Sequence, residues 1–310
     1  MTNLVASFYN YVEIGEPLKF RDEQLELCQS LGLKGRILIG KEGINGSVCG
    51  KKENVEKYKE SLRKNPLFSN IDFKEQEAKK QAFSRLYISV RKEIVHFGAD
   101  VDLRNTAQFL EPKELKEWLD SNEDIVLADM RNNYESKIGK FRNAVTLNIR
   151  NFRDLPNAVE DIKSLKDKKI VAYCTGGIRC EKGSAFLKEN GFSDVYQLKG
   201  GILKFGEKYP DTYWEGKCFV FDERIAIDIN KNKNDSIAEC ELCSKKADNY
   251  INCHNLDCDK LFSCCNDCKI NFNASCSEEC SKAPNRRKKN IILLQMNFPK
   301  PQIHTFRTLE

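Results

Sequence analysis

Lys169-Ile170-Val171-Ala172-Tyr173-Cys174-Thr175-Gly176-Gly177-Ile178-Arg179-Cys180-Glu181-Lys182 is the stretch on which the reading of this chain turns. Lys169 to Tyr173 is a short β-branched and aromatic run of the kind that forms a buried strand. Glu181 to Asn190 carries apolar residues at helical spacing, with Gly191 placed as a C-cap. A cysteine therefore sits on a tight, glycine-bearing turn between strand and helix. Gly176 and Gly177 let the backbone reach positive φ, so the amides of Thr175, Gly176, Gly177 and Ile178 can converge on one point. The helix N-terminus favours negative charge at that point, and Arg179 and Lys182 add formal positive charge. Each effect depresses a thiol pKa, which makes Cys174 a candidate thiolate nucleophile.

The stretch resembles the active loop of rhodanese (sulfurtransferase) domains. Other pieces agree in order: Ile125 to Arg131 with an Asp-x-Arg signature at Asp129, the acidic Glu135, the turn from Gly139 to Ala144, and the Gly200-Gly201 turn after Tyr196 to Lys199. The resemblance spans residues 121–215 and implies a parallel α/β domain. In this unit Arg142, Arg150, Arg153 and Lys199 fall on turns. Turns that surround Cys174 would make them a cationic mouth for a phosphate-bearing substrate, ordinary surface charge being the alternative. Arg142, Arg150, Arg153 and Lys182 are the candidate substrate contacts.

At 310 residues, 40% hydrophobic and 10% aromatic, the chain has length and apolar content for two or three cored domains. No apolar run of about 18 residues is present, so no transmembrane helix is expected. The start has neither a basic n-region nor a long apolar h-region, and a cytoplasmic protein is expected. Its 14 cysteines are then not expected to form disulfides. A net charge of +5 and a pI near 8.4 permit an anionic partner.

Before the rhodanese-like unit, residues 1–95 read as β-α-β-β-α-β with one extra strand, a ferredoxin-like sandwich with a turn over Gly40 to Gly46. Residues 96–120 read as a connector and entry helix, and 216–239 as a linker. Nine cysteines then crowd residues 240–280: Cys240, Cys243, Cys253, Cys258, Cys264, Cys265, Cys268, Cys276 and Cys280. Paired short spacings of this kind suit tetrahedral zinc. Two interleaved Cys₄ sites are one arrangement. The first takes Cys240, Cys243, Cys268 and one of Cys264 or Cys265; the second takes Cys253, Cys258, Cys276 and Cys280. One cysteine is spare, and His254 could replace a ligand. A cluster of free thiols, some serving redox, is the other arrangement. Residues 281–310 form a basic tail.

Taken together, the ferredoxin-like start, the two-cysteine loop and the cysteine-rich segment resemble the bacterial tRNA uridine-34 hydroxylase family. Membership implies oxygen-dependent formation of 5-hydroxyuridine at the wobble position of the tRNA anticodon loop. The family's essential loop cysteine corresponds to Cys174, and Cys180 marks the loop because simple sulfurtransferases usually have serine there. A thiolate adding to uracil C6 would make C5 nucleophilic enough to capture oxygen. Arg179 and the loop amides would hold the developing charge, and Cys180 would restore the thiol through a transient disulfide. Molecular oxygen is then a co-substrate, and the reductant is unidentified. No flavin or nicotinamide fingerprint is visible, and His96, His254 and His304 lie outside the loop unit.

Three other readings compete. The same loop would serve sulfur transfer from thiosulfate or a persulfide. A cysteine phosphatase needs Cys-x₅-Arg, and Cys174 to Arg179 is one residue short. A zinc-stabilised RNA-binding module would need no chemistry at all. RNA contacts, in either role, are suggested by basic residues among aromatics: Phe83, Arg85, Tyr87, Arg91 and Lys92, and Arg150, Phe152 and Arg153. The sequence does not bear on oligomeric state.

Overall fold

Alternating apolar residues build the first domain. Its elements are β1 (Asn3–Tyr11), α1 (Pro17–Ser30), β2 (Lys34–Gly40), β3 (Gly43–Lys51), α2 (Lys52–Lys64), β4 (Phe73–Ala78) and β5 (Leu86–Val90) in a computed structural model that describes residues 2–232 and 237–287. Ala6, Phe8, Ile37, Ile39, Ile44 and Val48 share one sheet face and bury against Phe20 and Cys28 of α1 and Val55, Tyr58 and Leu62 of α2. The sheet order is β4-β1-β3-β2-β5, the ferredoxin-like arrangement with β5 added in parallel beside β2. Residues of opposite parity, Ser7, Tyr9, Arg36, Asn45, Ser47 and Tyr87, give the other face a polar and aromatic character.

The glycine run is a correction. Only Lys41 and Glu42 turn, because Gly43 already pairs with Gly40 and Tyr11. A Cβ on Gly43 would lie 2.0 Å from the Asn10 carbonyl oxygen, so glycine there answers to close strand approach.

The second domain contains β6 (Gln108–Leu110), α3 (Pro112–Asp120), β7 (Ile125–Asp129), α4 (Asn133–Ser136), β8 (Gly139–Phe141), β9 (Val145–Thr146), α5 (Leu155–Ala158), β10 (Lys169–Tyr173), α6 (Ile178–Glu189), β11 (Asp194–Leu198) and α7 (Gly201–Lys208). Its parallel sheet runs β6-β11-β10-β7-β9. Being covered on both faces, β10 is apolar throughout: Ile170 and Ala172 join one core, Val171 and Tyr173 the other. Residues 96–120 are more than a connector, since Gln108 to Leu110 pair with Tyr196 to Leu198 as the sheet's edge strand.

Residues 216–239 likewise are more than a linker. β12 (Trp214–Phe219) pairs with β8 and with β13 (Ala226–Asp228), which ties this segment to the second domain. The cysteine-rich module follows as β14 (Tyr250–Asn252), β15 (Leu261–Ser263), α8 (Asn266–Asn271) and α9 (Glu278–Lys282). Its small core is Cys240, Ala247, Cys253, Phe262, Cys264 and Cys268. Most of the basic tail, residues 288–310, lies outside the described residues. What precedes it is structural: Arg286 donates to Ser275 Oγ at 2.9 Å and to the carbonyls of Asn273 and Cys280. No helix among the described residues is long and apolar enough to cross a membrane.

Candidate active site

Cys174 leaves the end of β10 on a loop fixed from three sides. Behind it, Tyr173 Oη donates to Asp129 Oδ2 at 2.8 Å, and Arg131 forks onto the same carboxylate at 2.9 and 2.6 Å. Ahead of it, Gly177 (φ 104°) opens α6, which begins at Ile178 rather than at Glu181. Beside it, the amides of Ile202 and Leu203 at the start of α7 donate to the carbonyls of Cys174 and Thr175 at 3.0 and 3.1 Å. A Cβ on Gly201 would lie 2.3 Å from the Cys174 carbonyl oxygen. The Gly-Gly turn thus exists so that α7 can press on the loop.

The Gly177 amide lies 3.1 Å from Cys174 Sγ. Burial pushes this thiol up, but a hydrogen bond from Cys180, the Arg179 guanidinium, and the Arg179 and Gly177 amides outweigh it and bring it down to about 5. Cys180, buried beside that negative sulfur, is driven up by burial and by Cys174 and stays a protonated donor. Two like groups in contact have been pushed apart in pKa, the pattern of an acid–base pair. Arg179 itself forks onto buried Glu135 at 2.6 and 2.8 Å, so its nitrogens are largely engaged inside the protein. It acts on Cys174 as a fixed charge and as part of the cavity wall.

A cavity of about 400 Å³ separates the loop from the polar face of the first domain's sheet. Thr175, Gly176, Ile178 and Arg179 line one side, Tyr9, Arg36, Asn45 and Lys74 the other, and Cys174 lies at the floor with 0% of its surface exposed. The expected cationic mouth is a correction. Arg142 pairs with Glu215 at 3.1 Å, Arg150 and Arg153 point to solvent, and none of the three lines the cavity. Lys182 is buried between Glu42 and Glu93, at 2.9 Å from each, and so ties α6 to the first domain instead of facing substrate. Arg36, Lys74, Arg179 and Arg224 supply the positive charge in their place, and His96, expected outside the loop unit, also lines the cavity.

In the cysteine-rich module eight sulfurs gather in two groups, Cys240, Cys243, Cys265, Cys268 and Cys253, Cys258, Cys276, Cys280, each within 4.8 Å. Four thiolates about 2.3 Å from one zinc ion stand about 3.8 Å apart along a tetrahedron's edges. The Cys243–Cys265 and Cys258–Cys276 sulfurs are 3.7 Å apart, and Cys276 and Cys280 are 3.8 Å apart. That spacing is far too long for a disulfide and fits a metal such as zinc. Cys264 falls outside both groups and is the spare; His254 belongs to neither.

Residues 3–94 match the UPF0176 acylphosphatase like domain, 111–208 the rhodanese-like domain, and 215–281 the rhodanase C-terminal family. A tRNA uridine(34) hydroxylase of Cytophaga hutchinsonii is 43% identical over 285 residues, covering 91% of this chain and 91% of that protein. Those of Onion yellows phytoplasma (43% identical, 92% of this chain, 94% of that one) and Bacillus cytotoxicus (41%, 91% and 89%) are similar over the same span. The chain belongs to the tRNA uridine(34) hydroxylase family.

In this member of the tRNA uridine(34) hydroxylase family, Tyr9 of the cavity wall and the residues Tyr11 and Glu181 behind it escape a sequence reading. Tyr9 donates to Glu181 Oε1 at 3.2 Å, and Tyr11 to the Ile178 carbonyl at 3.4 Å, so β1 reaches across to the start of α6. Glu181 is held above the usual carboxylate range, chiefly by burial. The available signal was the odd-numbered series Ser7, Tyr9, Tyr11: polar, hydroxyl-bearing and aromatic on the sheet face away from the helices.

Proposed function

We propose that this protein is an enzyme that hydroxylates uridine 34 of tRNA at C5, with Cys174 as the nucleophile. The observation that carries this is a thiol held near pKa 5 at the floor of a cation-lined cavity. At neutral pH it is a thiolate, the form that adds to uracil C6. The Gly177 and Arg179 amides hold the thiolate before addition; addition moves the negative charge to the ring enolate, where the cavity's guanidinium groups lower its energy. C5 then attacks oxygen. Net conversion takes uridine, O₂, two electrons and two protons to 5-hydroxyuridine and water, with the electrons from an external reductant. The Cys180 thiol would take the outer oxygen of the resulting C5 hydroperoxide as a sulfenic acid, and loss of the C5 proton would expel Cys174 from C6. Cys174 would then displace water from the sulfenic acid as a disulfide, and the reductant's two electrons would return the resting thiolate.

The same reading includes structural zinc on the two cysteine groups, with Cys240, Cys243, Cys265 and Cys268 holding one ion and Cys253, Cys258, Cys276 and Cys280 the other. It also places the protein in the cytoplasm with its tRNA. Nucleoside mass spectrometry of tRNA from cells with and without the protein tests the activity. A wobble uridine lacking one oxygen in the deletion strain, restored by the wild type but not by Cys174→Ser, is the expected result. Loss of a thio group instead would indicate sulfur transfer.

A further inference from the structure

A second cavity, of about 510 Å³, opens beside the first on the same sheet face. Arg36, Phe83, Phe221 and Asp222 line both, so they form the ridge between them. Phe221 is 56% exposed, an unusual state for so large an apolar ring, and its other side lies under Arg179 at 5.8 Å. Beyond the ridge, Tyr87 sits on β5 in register with Arg36 on β2. The guanidinium carbons of Arg36 and Arg85 lie 6.0 and 5.8 Å from its ring centre, and Arg91 donates to its hydroxyl at 2.7 Å. None of these three arginines forms an ion pair among the described residues. Of the two acids in the wall, Asp222 is taken up by Arg224 and only Glu223 offers an opposing charge.

Three guanidinium groups thus surround one ring, and Glu223 is the one acid of the wall that does not pair with an arginine among the described residues. Aromatic faces flanked by guanidinium groups are what single-stranded RNA uses, bases stacking and phosphates pairing. Resting on the proposed function, we propose that the second cavity holds the unpaired nucleotide next to the target uridine. Its base stacks on Tyr87, its phosphate meets Arg36 and Arg85, and Phe221 fills the gap left between the two separated bases. The enzyme would then recognise a uridine by its flanking nucleotide as well as by its own ring.

Binding is measured by direct titration in the Cys174→Ser background, so the outcome does not depend on turnover. The probes are synthetic anticodon stem-loops, intact or with an abasic residue on the 5′ or the 3′ side of uridine 34. One abasic loop is expected to bind about 5- to 100-fold more weakly than the intact loop. After Tyr87→Ala the two should differ by less than about twofold, whereas Tyr87→Phe should keep the full difference. Arg36→Gln and Arg85→Gln should each lower the salt slope of binding by about 0.7. Abasic and Tyr87→Ala losses that simply multiply, no response to either abasic loop, or unchanged salt slopes would overturn the second site. A wild-type protein that binds the intact loop but leaves its uridine unmodified with O₂ and reductant would instead overturn the proposed reaction.

Discussion

Cys174 shows how one sulfur's charge state is set by its neighbours. Its folded pKa of about 5 lies below the roughly 8.5 of a thiol in an unfolded chain. The thiolate therefore stabilises the folded protein, fully above the unfolded value, and that contribution is lost as pH falls through about 5. The thiolate absorbance that distinguishes wild type from Cys174→Ser should accordingly appear near pH 5. In a Cys180→Ala background it should move to higher pH, because the donor that holds the charge is gone. An unmoved midpoint would mean that the amides and Arg179 suffice. Glu135→Ala would leave Arg179 buried and unpaired; the expected cost is about 3–5 kcal/mol in denaturant unfolding. Cys174 itself was legible because glycines, arginine and thiol are neighbours in sequence. Glu135 as Arg179's partner was not, since the two residues meet only through the fold, although Glu135 could be picked out as an acidic residue of the domain.

Elements were legible where a periodic pattern and its stop signal coincide, as in β10 and in the two helices of the first domain. They were misread where burial overrides the signal. Gly43 carries a turn residue's name but a strand's pairing, and β6 is three residues long, too short for any periodicity to register. The cysteine pairs were legible because ligand spacing is itself a chemical constraint; which of Cys264 and Cys265 faces the group was not, since adjacent residues point opposite ways. Metal analysis of the purified protein should find two zinc ions per chain. Cys264→Ser should leave both, and Cys265→Ser should lose one. At the α7 end, Gly201→Ala places a methyl group against the Cys174 carbonyl in a backbone with φ of 61°. Circular dichroism should remain near that of the wild type, while hydroxylation falls by at least about tenfold, the scale on which a displaced reacting group loses rate.

The whole molecule raises a question neither domain answers alone: how does RNA reach a sulfur that is 0% exposed? The first domain's sheet forms one wall of the cavity, and the strongest tie holding that wall near α6 is Lys182 between Glu42 and Glu93. Tyr9 and Tyr11 add hydrogen bonds to the Glu181 carboxyl and the Ile178 carbonyl at the same helix start. Lys182 was read as a substrate contact because its charge and its place after the loop are visible in sequence, while its two carboxylate partners lie about 90 and 140 residues away. A buried cation serving two acids would act as a latch if the wall opens, because it favours the closed form over any form in which the domains separate. Lys182→Met removes the cation and leaves the first domain's Glu42 and Glu93 without their partner on α6. If access requires separation of the domains, Cys174 should then alkylate faster with a bulky maleimide, by about tenfold for every 1.4 kcal/mol by which the open form is favoured. The pKa-controlled part of the rate is removed by comparing both proteins at pH 8, well above the thiol's titration. Equal rates for the two proteins would show that the cavity as it stands admits the reagent, and that the triad secures the fold without governing entry.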